Sequence, residues 1–320
     1  MVMKKLLVAI SVIAIASLSL FAGGSKESSA SYTVGICQLV QHPALDAATN
    51  GFMDAINKEM GEESVRFLNQ NASGEITNCS TIINGFVSSN VSLIMANATA
   101  PLTTAAAATS TIPILGTSVT DYATALEIEN FSGTVGTNVS GTSDLAPLSE
   151  QAQMIKELFP DAKKVGLLYC SAEANSVYQI EQIEKYLASY GIASARYSFT
   201  DTNDVSSVAT KAASECDVIY IPTDNTAAAN TEAIANVVLP LKTPVVAGEE
   251  GICSGCGVAT LSIDYYDLGY ATGEMAVKIL RDGEDVSKMP IEYAPIVTKK
   301  YNKANAEALN ISIPEGYVAI

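Results

Sequence analysis

The chain has 320 residues, of which 48% are hydrophobic and 16% are charged, which is enough apolar material to bury two cores. Its 34 Asp and Glu residues against 18 Lys and Arg give a formal net charge of −16, and so acidic a protein is not expected to bind nucleic acid or anionic membranes. Six cysteines are too few for a disulfide-built fold of this length, and a single histidine excludes metal sites built on several histidines.

The first 24 residues have the pattern of an export signal. Lys4 and Lys5 precede an apolar stretch from Leu6 to Ala22, and Gly23 and Gly24 follow it. A membrane anchor is the alternative, but an apolar run of about 17 residues followed at once by small residues is more typical of a cleaved signal than of a span. We therefore expect export to the periplasm or the outer face of the cytoplasmic membrane, with a signal over 1–24 and a spacer to about residue 30.

From Tyr32 onward, short apolar runs alternate with segments of helical period, which predicts βα units and parallel sheets. Strands are predicted at 32–40, 65–69, 91–96, 112–116, 165–170, 195–199, 218–221 and 245–248. Helices are predicted at 43–60, 75–88, 101–109, 145–159, 176–190, 226–238 and 268–281. The fold class is therefore α/β.

The two halves of the chain repeat one arrangement. In the first, a strand at 92–97 leads to a helix, Ile112-Pro113 and a strand that ends in Gly116-Thr-Ser118. In the second, a strand at 217–221 leads to Pro222-Thr-Asp-Asn225, a helix, Thr243-Pro244 and a strand that ends in Gly248-Glu-Glu250. This correspondence predicts two doubly wound, Rossmann-like lobes that face each other across a ligand cleft at the strand ends. Two unrelated α/β domains are the alternative.

Three segments are candidates for crossings between the lobes: 133–147, which is rich in Gly, Ser, Thr and Asn, then 261–266 and 290–298. They predict a multi-strand hinge, with one lobe made of 32–140 and 265–289 and the other of 141–264 and 290–320.

Enzymatic motifs are missing from the sequence. There is no phosphate-binding Gly-x-x-x-x-Gly-Lys loop and no Gly-x-Ser-x-Gly nucleophile turn. His42 follows the first strand, where it is either a hydrogen-bonded turn residue or a ligand contact. Cys253-Ser-Gly-Cys256 has the spacing of a redox pair, but no helix is expected to begin there, so a local disulfide or two inert thiols are predicted. We expect a binding protein without cofactor or metal.

The candidate ligand-binding residues are polar groups at predicted strand ends: Gln38, His42, Asn97, Thr99, Thr117, Ser118, Asn138, Ser140, Asn175, Asp224, Asn225, Glu249 and Asp264. Each could be an ordinary turn or cap residue, and only their recurrence in both halves points to one cleft.

The charges of these residues narrow the class of ligand. No Lys or Arg occurs from Phe67 through Ile155, which disfavours anions. The chain has no Trp on which a sugar ring could stack. A carboxylate of Asp224, Glu249, Glu250 or Asp264 could pair with an ammonium group, so an amino acid fits better than a sugar, a nucleoside or an amide, which remain alternatives.

Several ordered segments resemble the ABC-transporter substrate-binding family associated with tryptophan or tyrosine uptake, which has the type I periplasmic-binding-protein fold. The segments are Val34-Gly-Ile-Cys-Gln-Leu-Val-Gln-His-Pro43, Ile94-Met-Ala-Asn97, Thr117-Ser-Val-Thr-Asp121, Gly141-Thr-Ser-Asp144, Ser171-Ala-Glu-Ala-Asn-Ser176, Pro222-Thr-Asp-Asn225, Gly248-Glu-Glu-Gly251 and Leu261-Ser-Ile-Asp-Tyr-Tyr266. The resemblance implies a monomeric receptor that closes over a small ligand, often an aromatic amino acid, and docks onto an ABC permease and its ATPase. Many relatives carry a lipid-anchoring Cys after the signal, where this chain has Leu20-Phe-Ala-Gly-Gly24. An exported thiol–disulfide protein that uses Cys253 and Cys256 is the remaining alternative.

Overall fold

The structure is a computed structural model that describes residues 30–294 and 296–320. The predicted export signal lies outside the described residues. Within the described part of the chain, no helix combines the length and hydrophobicity needed to cross a membrane.

The first lobe is built on a parallel sheet with the strand order β11-β5-β4-β3-β1-β2. Its strands are β1 (Tyr32–Gln38), β2 (Val65–Asn71), β3 (Leu93–Asn97), β4 (Ile114–Val119), β5 (Val139–Ser143) and β11 (Glu292–Tyr293). Its helices are α1 (Pro43–Met60), α2 (Ile76–Ser88), α3 (Thr99–Ala108), α4 (Tyr122–Ala125) and α11 (Tyr265–Leu280). Hydrophobic residues are buried between the sheet and these helices.

The second lobe is built on a mostly parallel sheet with the order β13-β12-β10-β9-β8-β6-β7, in which β12 runs antiparallel to β10. Its strands are β6 (Lys164–Cys170), β7 (Ala193–Phe199), β8 (Val218–Ile221), β9 (Val245–Ala247), β10 (Ala259–Ser262), β12 (Thr298–Tyr301) and β13 (Val318–Ala319). Its helices are α5 (Leu148–Leu158), α6 (Ala174–Ser189), α7 (Val205–Glu215), α8 (Asn225–Ala228), α9 (Thr231–Val238), α10 (Glu250–Cys256) and α12 (Lys303–Ala308). A short 3₁₀ helix, Val286–Lys288, lies beside the first lobe and not in the second. The predicted pair of doubly wound lobes is therefore confirmed.

The chain crosses between the two sheets three times. It leaves the first sheet after β5, returns from β10 to α11, and leaves again between β11 and β12. Strands β5 and β11 pair with each other in the first sheet, so residues 141–143 and 292–293, which we assigned to the second lobe, pair within the first.

Helices α1 and α11 pack so closely that two glycines are required at their contact. A Cβ atom at Gly269 would overlap the backbone carbonyl of Ala48, and one at Gly51 would overlap the carbonyl oxygen of Tyr266. Such contact leaves no room for a side chain, so α11 is held against the first lobe although it follows a strand of the second.

Two local predictions for the second lobe are wrong. The single helix predicted at 226–238 is divided into α8 and α9, because Asn230 leaves the helical conformation and its side chain donates to the carbonyl of Thr226. A helix does begin before Cys253, because the carboxylate of Glu249 accepts from the backbone N–H groups of Gly251 and Ile252 and so caps α10.

Candidate functional site

A small cavity lies between the lobes, at the carboxyl ends of their strands. It contains about 280 Å³ that is not occupied by protein atoms, including space open to solvent. The lining residues come from both lobes and from the crossings: His42, Leu45, Ser118, Thr120, Asp144, Asn175, Thr223, Asp224, Asn225, Ala228, Glu249 and Tyr265.

Asp144, which follows β5 at the first crossing, is buried in the wall of this cavity. Its carboxylate accepts from the hydroxyl of Thr120 at 3.1 Å and from the hydroxyl of Tyr265 at 2.8 Å. Burial raises the pKa of Asp144, and these two hydroxyl donors oppose the rise. The carboxylate is therefore held in place by neutral partners and keeps capacity for a cationic one.

Two further buried carboxylates come from the second lobe. Glu249 caps α10, and burial raises its pKa to about 7. Asp224 accepts from the backbone N–H groups of Cys170 at 2.6 Å and Ala227 at 2.8 Å, while burial and the nearby charge of Glu173 raise its pKa to about 8. Within the described chain, no Lys or Arg lines the cavity. Three carboxyl groups without a basic partner make this a site for a positive charge.

The first lobe contributes hydroxyl groups that have no partner. The Oγ atom of Ser118 is buried at the end of β4, and the Oγ1 atom of Thr99 is buried at the start of α3; neither has a hydrogen-bond partner among residues 30–294 and 296–320. Strands β3 and β4 are neighbours, and Asn97 pairs with Thr117, so these two hydroxyls lie on adjacent strand ends. Ser118 has a φ of 54°, an unusual backbone conformation that often occurs at binding sites.

Hydrogen bonds join the two lobes across the cleft. The Nε2 atom of His42 lies 3.2 Å from the Oδ1 atom of Asn225, and the hydroxyls of Thr120 and Thr223 are 3.4 Å apart. Each pair takes one residue from each lobe, so the lobes are in contact around the cavity.

Six of the predicted site residues line the cavity together: His42, Ser118, Asn175, Asp224, Asn225 and Glu249. Three others support its floor in the first lobe. Asn97 donates to the carbonyl of Leu45 and to Thr49, and Thr49 donates to Gln38. Thr99 lies beside Ser118 as described above. Gln38 and Asn97 hold the β1 and β3 ends in place through these bonds, and none of the three predicted residues lines the cavity.

The other four predicted residues lie elsewhere. Thr117 bonds with Thr142 inside the first lobe, and Ser140 donates to the carbonyl of Met289. Asn138 precedes β5, at the opposite end of that strand from the cavity, and donates to the carbonyls of Thr109 and Ile112. Asp264 is exposed and caps α11 by accepting from the N–H of Asp267.

The sequence prediction did not include six residues that line the cavity: Leu45, Thr120, Asp144, Thr223, Ala228 and Tyr265. Asp144 had a detectable signal, because it is an acidic residue directly after a strand at a predicted crossing. Tyr265 is adjacent to Asp264, and the helix geometry turns the tyrosine rather than the acid into the cavity.

Cys253 and Cys256 lie one turn apart in α10 as free, buried thiols. Burial is the main cause that raises the pKa of each thiol. Thiols in this environment stay protonated and are poor nucleophiles.

The sequence and the structure were compared with those of known proteins. Residues 33–319 match the family of ABC transporter substrate binding proteins. A tyrosine-binding protein of Clostridioides difficile (strain R20291) is 33% identical over 260 residues, which cover 81% of this chain and 75% of that protein. A conserved domain protein from Vibrio cholerae has a TM-score of 0.86 at 31% identity, with 90% of this chain and 99% of that chain covered.

Two further structures bear on how the lobes are arranged. The ABC domain from Streptococcus pneumoniae in complex with L-Trp has a TM-score of 0.86 at 30% identity, whereas a ligand-free, open substrate-binding protein from Clostridium difficile has a TM-score of 0.69 at 34% identity; both comparisons cover 90% of this chain and 99% of the other. The structure of this chain is therefore more similar to the ligand-bound relative than to the ligand-free, open one, although sequence identity is slightly higher to the open one. The chain belongs to the ABC transporter substrate-binding protein family and has the type I periplasmic-binding-protein fold.

Proposed function

We propose that this protein is the exported receptor of an ABC importer and that it binds an aromatic amino acid between its lobes. The observation that carries the proposal is a cavity between the lobes with three buried carboxyl groups and neither Lys nor Arg along its described lining. The tyrosine-binding relative and the L-Trp complex support the aromatic class of ligand.

The ammonium group of the ligand is assigned to Asp144 first. Asp224 and Glu249 each accept two backbone N–H groups, which partly neutralise them, whereas Asp144 accepts only hydroxyls from side chains. A charge-assisted hydrogen bond to a buried carboxylate is strong, and it replaces the water that the ammonium loses. Besides burial, the charges of Glu250 and Asp144 raise the pKa of Glu249, so Glu249 lies close enough to Asp144 to share the positive charge.

The carboxylate of the ligand is assigned to the first lobe. Ser118 offers an unused hydroxyl in the wall of the cavity, and on the neighbouring strand end the first turn of α3 leaves backbone N–H groups without partners inside the helix. Neutral donors at a helix N-terminus are sufficient to bind a carboxylate without Arg or Lys. A ligand held in this way contacts both lobes, which is the condition for it to favour the closed form.

No catalytic role is proposed for this site. The buried thiols of Cys253 and Cys256 have raised pKa values, which disfavours the exported thiol–disulfide alternative. The membrane permease, its ATPase, and a location outside the cytoplasm are proposed from the family, whose substrate-binding members deliver ligands to such importers.

The test is a thermal-shift panel of amino acids, sugars, nucleosides and small amides, followed by calorimetry on each compound that stabilises the protein. We expect stabilisation by aromatic amino acids, with a shift that grows as the ligand concentration rises above Kd. If only compounds without an ammonium group stabilise the protein, the proposed ligand class is wrong. An insulin-reduction assay on the wild type, with the C253S/C256S double variant as control, tests the thiol–disulfide alternative.

A further inference from the structure

His42 lines the cavity and has a ring nitrogen without a hydrogen-bond partner in the described parts of the chain. The residue is 6% exposed, and this nitrogen, Nδ1, is buried. His42 is also the N-cap of α1, yet its side chain does not cap the helix, where Pro43 supplies no N–H. An unpaired buried polar atom is costly unless a ligand or water completes it.

The partners of Asn225 determine which ring nitrogen of His42 carries the proton. Glu173 accepts from the Nδ2 amide of Asn225 at 2.7 Å and also from the backbone N–H at 3.0 Å. A carboxylate only accepts, so the amide of Asn225 must turn its Nδ2 toward Glu173 and its Oδ1 toward His42. His42 therefore donates through Nε2–H, and Nδ1 keeps a free lone pair.

The neutral form of His42 is the one that burial favours. Burial lowers the pKa of His42 more than the bond with Asn225 and the negative charges of Glu173 and Asp46 raise it. At neutral pH the Nδ1 atom is accordingly an acceptor on a residue that lines a site otherwise supplied with carboxylates and hydroxyls.

We propose that Nδ1 of His42 accepts a hydrogen bond from the side chain of the ligand, so that the protein selects aromatic amino acids with a side-chain donor. The hydroxyl of tyrosine and the indole N–H of tryptophan satisfy this acceptor, and phenylalanine leaves it unpaired. The inference rests on the proposed function and assigns the specificity of that same site. The ammonium group is taken by the carboxyl groups around Tyr265, which are stronger acceptors than a neutral imidazole.

Calorimetry with tyrosine, tryptophan and phenylalanine tests the inference on the wild type and on His42→Phe, which removes the acceptor and keeps a ring. We expect phenylalanine to bind the wild type about 10- to 100-fold more weakly than the better of the other two, as for a donor missing opposite a buried acceptor. In His42→Phe this preference should fall to about threefold or less. Asn225→Ala keeps the imidazole but removes the acceptor that fixes the Nε2–H tautomer, so it should also reduce the preference, by less than His42→Phe, which removes the imidazole itself.

The affinities distinguish a failure of the inference about His42 from a failure of the proposed function. Equal affinity of the wild type for all three ligands overturns the inference alone, as does an equal loss for all three in His42→Phe, which would mean that Nδ1 serves the ammonium group. No binding of any of the three overturns the proposed function and the inference with it.

Nitrogen NMR on wild-type protein gives an independent readout that does not depend on the folding of a variant. The chain has one histidine, so an untagged sample labelled with ¹⁵N-histidine has a single pair of ring nitrogens. We expect the Nε2–H tautomer, and a shift of the Nδ1 resonance toward that of a hydrogen-bonded acceptor when tyrosine is added but not when phenylalanine is added. The Nδ1–H tautomer in the bound protein would overturn the inference.

Discussion

Replacing Asp144 by asparagine removes one negative charge from the cavity and keeps the size of the side chain. The carboxamide oxygen can still accept from one of the two hydroxyls, those of Thr120 and Tyr265, that now hold the carboxylate. If Asp144 binds the ligand ammonium, the variant loses the charged half of a buried pair, which costs about 2–5 kcal/mol and weakens binding by about 30-fold to a few thousand-fold.

The same substitution should not destabilise the ligand-free protein. Burial raises the pKa of Asp144 above its usual 3.8, so the folded state holds this proton more tightly than the unfolded state. The carboxyl therefore costs stability as the pH rises from 3.8 to its folded pKa, the cost is complete above that pKa, and asparagine removes it. We expect the Tm of the ligand-free variant at pH 8 to equal or exceed that of the wild type while ligand affinity falls.

Calorimetric titration with the ligand found in the panel, and differential scanning calorimetry without ligand, measure the two effects separately. Asp161→Asn is the matched control, since Asp161 is exposed and lies far along the chain from any cavity residue. Unchanged affinity in Asp144→Asn would refute the assignment of the ammonium group. A Tm that falls together with affinity would show that Asp144 acts mainly on stability.

Three other predictions concern pH, packing and the thiols. Burial raises the pKa values of Glu249 to about 7 and Asp224 to about 8, so a bound ammonium must displace protons from these carboxyls at acidic pH. Ligand affinity should therefore rise from pH 5 to 8, by up to about tenfold per pH unit for each displaced proton, whereas the stability of the ligand-free protein should fall over the same window. A flat affinity profile from titrations at several pH values would contradict this. Gly269→Ala places a methyl group against the backbone of Ala48, so urea unfolding should show a loss of about 1–3 kcal/mol, and an unchanged midpoint would mean that α1 and α11 can separate without cost. The two cysteines of α10 should resist iodoacetamide in the native protein and react in urea, as read by mass spectrometry, and rapid native labelling would show that α10 opens.

Comparing the predicted helices and strands with the observed ones shows which features local sequence patterns can predict. The helix predicted at 43–60 coincides with α1, because Pro43 suits the first helical turn and Gly61 follows its last residue with a φ of 88°. Most strands were placed to within a few residues, since a buried parallel strand is a short apolar run. The helix predicted at 226–238 is divided, because the interruption at Asn230 comes from one side-chain bond to the backbone.

The sequence predicted the kind of residue at the site, polar groups at strand ends, better than it predicted which individual residues line the cavity. Asn175, Asp224, Asn225 and Glu249 line the cavity because each lies directly beyond a strand of the second lobe or in the helix that follows it. Asn138 is a polar residue at the other end of its strand, and a one-dimensional pattern does not distinguish the two ends when the strand boundary is shifted by a few residues.

The sequence by itself determined the repeated βα order, the acidic character of the protein and the polar residues that gather at strand ends. These are properties of neighbouring residues, and periodicity reports them directly. Only the tertiary structure decided that Asp144 and Tyr265, 121 positions apart, meet in one wall, and that His42 faces Asn225 across the cleft. Such contacts depend on how three chain crossings bring two lobes together, and that geometry is set by packing over the whole molecule and not by any local pattern.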